Sequence, residues 1–171
     1  MELYPAIKNR RSIRKFQNKE IPEEIIDKLA DALIWAPSAG NLESRKFYFV
    51  FNKEIKEKLT EAALGQNFIK QAPLVVVGCA DKKISERYGE RGINIYSVCD
   101  VSAAIENMLL MACDQGLGTV WVGAFDEEKV AEILDLPENL WPIAIVPIGY
   151  SDEAPASFRK DKKETIIKIN W

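Results

Sequence analysis

The densest cluster of groups able to do chemistry is Arg10-Arg11-Ser12-Ile13-Arg14, where three guanidinium groups and a hydroxyl fall within five residues. Arginine presents a planar fork of donors that matches phosphate oxygens two at a time, so this set is a candidate anion site. Basic clusters also occur as plain solvated surface, and the cluster alone leaves both readings open. A second candidate is Pro37-Ser38-Ala39-Gly40-Asn41. Its small turn-formers free backbone N–H groups and let a ligand come close to the main chain, although ordinary turn and capping chemistry uses the same residues. The third is the basic pair Arg159 and Lys160 near the C-terminus, which sequence alone does not place beside the first cluster.

Several other chemistries are excluded. The chain has no histidine, which removes Ser-His-Asp triads, Cys-His pairs and histidine-ligated zinc. Cys79, Cys99 and Cys113 are far apart and form no CxxC, so they read as reduced, mostly buried thiols, and no metal site is expected. Neither a GxGxxG after a strand nor a GxxxxGK[ST] occurs, which removes support for a dinucleotide fold or a P-loop. With 171 residues, 47% hydrophobic and 29% charged, the chain fits one globular domain over residues 1–171. A net charge of -3 supplies no general attraction to nucleic acid or anionic lipid, so any anion site is local and neither class of partner is expected. The opening MELYPAIKNRRS lacks the apolar core of a secretory signal. No later stretch reads as long enough to span a bilayer, and a cytoplasmic location is expected.

The elements that must position these groups follow from periodicity. Ile21 to Ala36 is an expected amphipathic helix with Ile25, Ile26, Leu29, Leu33 and Ile34 on one face, and with Pro22 and two glutamates in its first turn. Lys46 to Phe51 reads as a strand, followed by a helix over Lys53 to Ala63. The continuous apolar run Leu74 to Cys79 fits a strand covered on both faces. Between about Ile93 and Gln115, residues such as Val101, Ala104, Ile105, Met108 and Ala112 recur at helical spacing, with Met111 and Cys113 widening the stripe. So wide an apolar surface fits a helix partly covered by a second copy, or else the central helix of a monomer. A short strand, Thr119 to Val122, leads into Gly123-Ala124-Phe125, after which Asp126 is placed to cap a helix over Glu127 to Leu134. Ile143 to Ile148 is the last strand, and the polar tail after Gly149-Tyr150 ends in apolar alternation and Trp171, a pattern that suggests docking. Trp35, Trp121, Trp141 and Trp171 are expected to be mostly core or interface anchors. The fold class is α+β, a mixed sheet flanked by helices.

Four segments, in order and with compatible spacing, resemble the nitroreductase family over nearly the whole chain. Arg10-Arg11-Ser12-Ile13-Arg14-Lys15-Phe16 is similar to its R-R-S-x-R-x-F signature, and Ala36-Pro37-Ser38-Ala39-Gly40-Asn41 to its A-P-S-x-x-N loop. Asn67 to Pro73 and Gly118 to Asp126 match further landmarks. The resemblance implies a nitroreductase-like fold with a mainly antiparallel mixed sheet, in an intertwined homodimer that binds flavin mononucleotide (FMN) at the subunit interface. By that resemblance Arg10, Arg11 and Ser12 hold the phosphate and pyrimidine edge, Arg14 stands near N1/O2, and Arg159 and Lys160 lie near a basic phosphate contact. Pro37, Ser38, Ala39 and Asn41 would lie against the flavin bound mainly by the partner subunit. Gly123 and Ala124 would present backbone N–H toward flavin N5, a donor that cannot be titrated away.

The activity implied is ping-pong transfer of hydride from NAD(P)H to FMN and on to a nitroaromatic, a quinone or a similar small acceptor, with no metal. The alternatives are a non-catalytic FMN-binding or storage protein, a specialised flavin reductase or dehalogenase of the same fold, and a small regulatory or nucleotide-binding module without flavin. One departure stands out. Leu42-Glu43-Ser44-Arg45 replaces the family's usual Gln-Pro-Trp-like continuation, so Glu43 brings a carboxylate, which accepts only, to the place of an amide that also donates.

Overall fold

The computed structural model describes residues 2–169. Four strands, β1 (Arg45–Val50), β2 (Leu74–Asp81), β3 (Gly118–Thr119) and β4 (Leu140–Gly149), form one sheet in the order β1-β2-β4-β3. Neighbouring strands in it run antiparallel; the mixed element is a parallel bridge between Ser12 and Thr119 outside the named strands. The apolar run at Leu74 is central, as expected. Its alternate residues Leu74, Val76 and Ala80 enter one core cluster, while Val75, Val77 and Cys79 enter the other. That is the period-2 geometry of a strand covered on both faces.

The helices are α1 (Leu3–Asn9), α2 (Glu23–Ile34), α3 (Lys53–Ala62), α4 (Phe68–Gln71), α5 (Ser85–Arg91), α6 (Ser97–Asp114), α7 (Glu127–Ile133) and α8 (Lys162–Thr165). On one face of the sheet α2 and α6 pack through Leu29, Leu33, Val101, Ile105 and Met108; on the other, α3, α4 and α7 contribute Leu59, Ile69 and Val130. The cap read at Asp126 holds, its side chain accepting the Lys129 N–H at 3.1 Å, while Pro22, expected in the first turn of α2, stands just before it and the two glutamates fill that turn.

Four expectations need correction. Ile34 does not join the apolar face of α2; at the helix end it is 61% exposed beside Trp35, itself 83% exposed. The tail does not dock on its own chain, for Phe158, Ile166, Ile167 and Ile169 are all exposed; Trp171 lies outside the described residues. The strand expected over Thr119 to Val122 pairs at Gly118–Thr119 and again at Val122, opposite Ile145. One register joins both pairings, and the residue facing Val120 in it is Pro147, which has no N–H to donate. The fourth concerns membranes. A π-helical turn over Gly92–Tyr96 joins α5 to α6, and the resulting run, Lys82–Asp114, is long and apolar enough by length and composition to cross a bilayer. In the fold its α6 part packs against α2 and the sheet.

Candidate functional site

Beyond α1 the chain is extended, and the sheet edge keeps it so. Ser12 bridges Thr119, and the Ile13 N–H donates to the Thr119 carbonyl at 2.9 Å. Further on, Phe16 pairs with Ser151, the Gln17 N–H donates to the Tyr150 carbonyl at 2.9 Å, and the Asp152 N–H donates to the Lys15 carbonyl at 3.0 Å. Ile13 is buried, so by alternation Ser12 and Arg14 belong to the opposite side of the segment. Two glycines permit the close approach. A Cβ on Gly118 would stand 2.6 Å from Ile13 Cγ1, and one on Gly149 would stand 2.6 Å from Pro73 Cδ and 3.0 Å from Phe16 Cδ1.

Arg10 and Arg11 open onto a cavity of about 390 Å³ bounded by Ile13, Cys113, Gly118 and Glu153. Burial pushes the Cys113 thiol pKa up, while the charges of Arg10 and Arg11 draw it back in part. Arg11 is turned toward α1, donating through one terminal nitrogen to the carbonyls of Lys8 at 2.6 Å and Arg10 at 2.8 Å. Glu153 puts a carboxylate in the same cavity and accepts the Arg14 backbone N–H. Arg159 and Lys160 do not line it; Arg159 lies exposed in the tail and donates to the Phe158 carbonyl at 2.7 Å. The two basic clusters therefore do not converge within one chain, because the tail leaves the sheet after Ser151 with its apolar residues unburied.

The Gly123-Ala124 turn is fixed from both sides. Val122 exchanges two hydrogen bonds with Ile145, at 2.9 and 3.0 Å, and beyond the turn the Asp126 N–H donates to the Ala62 carbonyl at 2.9 Å. Gln66 Nε2 also donates to the Ala124 carbonyl, at 3.0 Å. Both turn residues are exposed, and among the described residues neither backbone N–H has an acceptor. Two free donors on a pinned turn are pre-organised for an external acceptor.

The loop after α2 is held by residues that its own sequence does not reveal. Arg45 is 6% exposed and donates to four carbonyls: Ala36 at 2.6 Å, Pro37 at 2.8 Å, and Ile34 and Asp100 at 3.3 Å. The Asp100 carboxylate, also buried, accepts the Ala39 N–H at 2.8 Å through Oδ1, while its Oδ2 has no hydrogen-bond partner. Ser38 Oγ accepts the Glu43 N–H at 3.0 Å, which is turn chemistry. Gly40, Asn41 and Glu43 have φ of 58°, 55° and 50°, and the Tyr88 hydroxyl stands too close to Gly40 to leave room for a Cβ there. Nothing in the periodicity singles out Arg45, Asp100, Gln66 or Tyr88; the one signal is that Arg45 departs from the expected aromatic.

The loop rests on α6 at Asp100, whereas the arginine cavity opens at the other end of that helix, at Cys113. At 1.5 Å rise per residue the two places are about 20 Å apart. Within one chain the loop and the arginine cavity therefore lie at opposite ends of α6.

The fold recurs in known proteins. The family model described as Nitroreductase family matches residues 7–81 and 60–150. A Methanothermobacter thermautotrophicus protein provisionally named NADH dehydrogenase/NAD(P)H nitroreductase is 37% identical over 161 residues, covering 92% of this chain and 81% of the relative. Among solved structures, an FMN-dependent nitroreductase from Clostridium difficile R20291 superposes with a TM-score of 0.85 at 28% identity, covering 98% of this chain and 99% of that one. B. megaterium NfrA2 superposes with a TM-score of 0.90 at 26% identity, covering 100% and 75%. A family-model match that runs from residue 7 to residue 150, with a relative 37% identical over 92% of the chain, places the chain in the nitroreductase family.

Proposed function

We propose that the protein is an FMN-dependent NAD(P)H oxidoreductase acting on a small acceptor such as a nitroaromatic or a quinone, with two copies building each site. The observation that carries the reading is the pair of unspent, exposed N–H groups of Gly123 and Ala124 on a turn fixed at Val122, Ala124 and Asp126. When bound, FMN supplies the two-electron chemistry, accepting hydride from a reduced nicotinamide at N5 and giving it to the acceptor in a ping-pong cycle.

The donor set fits that cofactor. The Gly123 and Ala124 N–H groups offer a fixed donor to N5. Arg10, Arg11 and Ser12 form the phosphate end, and Arg14 supplies positive charge for the pyrimidine edge. Pro37, Ser38, Ala39 and Asn41 serve the flavin of the partner subunit, which agrees with their separation from the arginine cavity of their own chain. Arg159 and Lys160, on an exposed tail, complete a phosphate contact in the assembled dimer.

Unburied apolar surface supports the dimer. Leu3, Tyr4 and Ile7 on α1, together with Ile34 and Trp35, are all more than half exposed, and two of them, Leu3 and Trp35, border a groove of about 580 Å³ with Leu110 and Met111 of α6. A contiguous apolar face of this kind is what a second copy covers.

The test is spectroscopic. The purified protein is expected to be yellow, to bleach with NADH or NADPH in the absence of oxygen, and to recover colour on adding a quinone. Ala124→Pro, which deletes one turn N–H, is expected to retain FMN but to slow bleaching by at least about tenfold, the worth of one pre-organised donor. A colourless protein that ignores added FMN refutes the reading, and flavin that bleaches without passing electrons on reduces it to a carrier.

A further inference from the structure

A second basic cavity lies at the end of the sheet, where β1 finishes and β2 begins. It measures about 720 Å³ and shares no lining residue with the cavity at Arg10. The segment after Phe16 roofs it. Its cations are Lys19, Lys53, Lys56 and Lys70, against the single carboxylate of Glu20, so a local excess of positive charge sits in a chain whose net charge is -3.

Lys56 is the unusual member. It is 7% exposed, and its Nζ donates to the carbonyls of Ala72 at 2.7 Å and Pro73 at 3.3 Å, which leaves one N–H without an acceptor among the described residues. Burial lowers its pKa from the ordinary lysine value. None of the four lysines forms an ion pair with a described residue, and Lys19 instead stands 3.8 Å above the Tyr150 ring. A buried ammonium without a counter-charge is costly, and carbonyl caps offset only part of that cost. Three more cations around it raise the cost further, unless an anion enters.

The rest of the lining narrows the class of anion. Phe51 presents a half-exposed ring, and Phe16 and Ile26 add apolar surface beside the lysines. Such a wall suits a flat or apolar body, while several ammonium groups suit a group of two or more negative charges. The volume lies in the ordinary range for small-molecule sites, roughly 300–1,000 Å³. We propose that this end-of-sheet cavity binds a phosphorylated small molecule with a flat apolar body, of the nucleoside-phosphate class, separately from the flavin surface.

The experiment is calorimetric titration of the FMN-saturated protein with adenosine diphosphate, and separately with inorganic pyrophosphate. One saturable site per chain is expected for the nucleotide, with pyrophosphate competing for it more weakly because it lacks the apolar body. The double substitution Lys19→Gln, Lys53→Gln changes exposed residues, and should weaken binding at least about tenfold while leaving flavin content and quinone reduction unchanged. Lys56→Met should abolish binding; if that variant does not fold, the double substitution still decides. No saturable binding at millimolar nucleotide overturns the proposal. So does binding that the lysine substitutions leave unchanged, or nucleotide displaced in proportion to added FMN. The last two outcomes leave the flavin reading intact.

Discussion

Replacing Gly118 by alanine tests whether the close approach of the extended N-terminal segment is what holds the arginine cluster in place. The new Cβ would lie 2.6, 2.8 and 2.9 Å from Cγ1, Cβ and Cγ2 of Ile13. Ordinary carbon–carbon contact is about 3.5–4.0 Å, so the segment must retreat by about 1 Å. Because Cβ is one of the three atoms, no rotamer of Ile13 relieves the clash. The Ile13 N–H bond to Thr119, now 2.9 Å, would stretch beyond hydrogen-bonding range. Overpacking and the lost bond together cost about 2–4 kcal/mol, which a domain of ordinary stability survives. Urea unfolding should therefore show a midpoint lower by about 1–2 M with unchanged slope. Ser12 and Arg14 flank Ile13 and move with it, so FMN fluorescence titration should read affinity about tenfold weaker or worse. Ile13→Ala in the same background removes the Cγ1 and Cγ2 contacts but not the one at Cβ, and is expected to restore only part of either loss. An unchanged midpoint with unchanged FMN affinity would refute the argument that this contact sets the segment's position.

Two further outcomes are expected. Glu153→Gln removes a negative charge from the cavity shared with Arg10 and Arg11 while keeping an acceptor for the Arg14 N–H, so FMN affinity should rise roughly three- to tenfold in fluorescence titration; weaker binding would place Glu153 on the ligand's side. Arg45→Lys replaces a fork serving four carbonyls by a point donor, and should cost about 3 kcal/mol in urea unfolding while making the peptide bonds around Ile34 to Pro37 the first to yield to limited proteolysis.

The parts of the fold legible from sequence are those where local pattern and tertiary demand agree. The period-2 alternation of Leu74 to Ala80 between two cores, the apolar face of α2, and the Asp126 cap followed directly. The third strand was only half legible, because its break comes from Pro147 on another strand, and no local pattern at Val120 reports it. The helices α1, α4, α5 and α8 are short and were not anticipated. Of the candidate site, the Arg10 to Arg14 cluster and the Gly123-Ala124 turn carried recognisable residue types. Convergence of Arg159 and Lys160 on that cluster did not follow, since a tail with nothing to bury on its own chain is not positioned by it.

The loop departure at Leu42 to Arg45 has a structural logic of its own. Three residues in four, Gly40, Asn41 and Glu43, take left-handed backbone conformations, which glycine and asparagine tolerate and which disfavour Glu43. Something must hold that shape, and here it is a buried guanidinium that satisfies the carbonyls at the end of α2 while a carboxylate from α6 takes the Ala39 N–H. Arg45 lies inside and fixes the loop backbone, while the Glu43 side chain is exposed. Arg45 also donates to the Asp100 backbone carbonyl while the Asp100 carboxylate takes the Ala39 N–H, so the loop's geometry is tied to α6 through one residue of that helix. The loop's shape then depends on how α6 is seated, so the apolar packing of α6 on the sheet reaches the loop through Asp100.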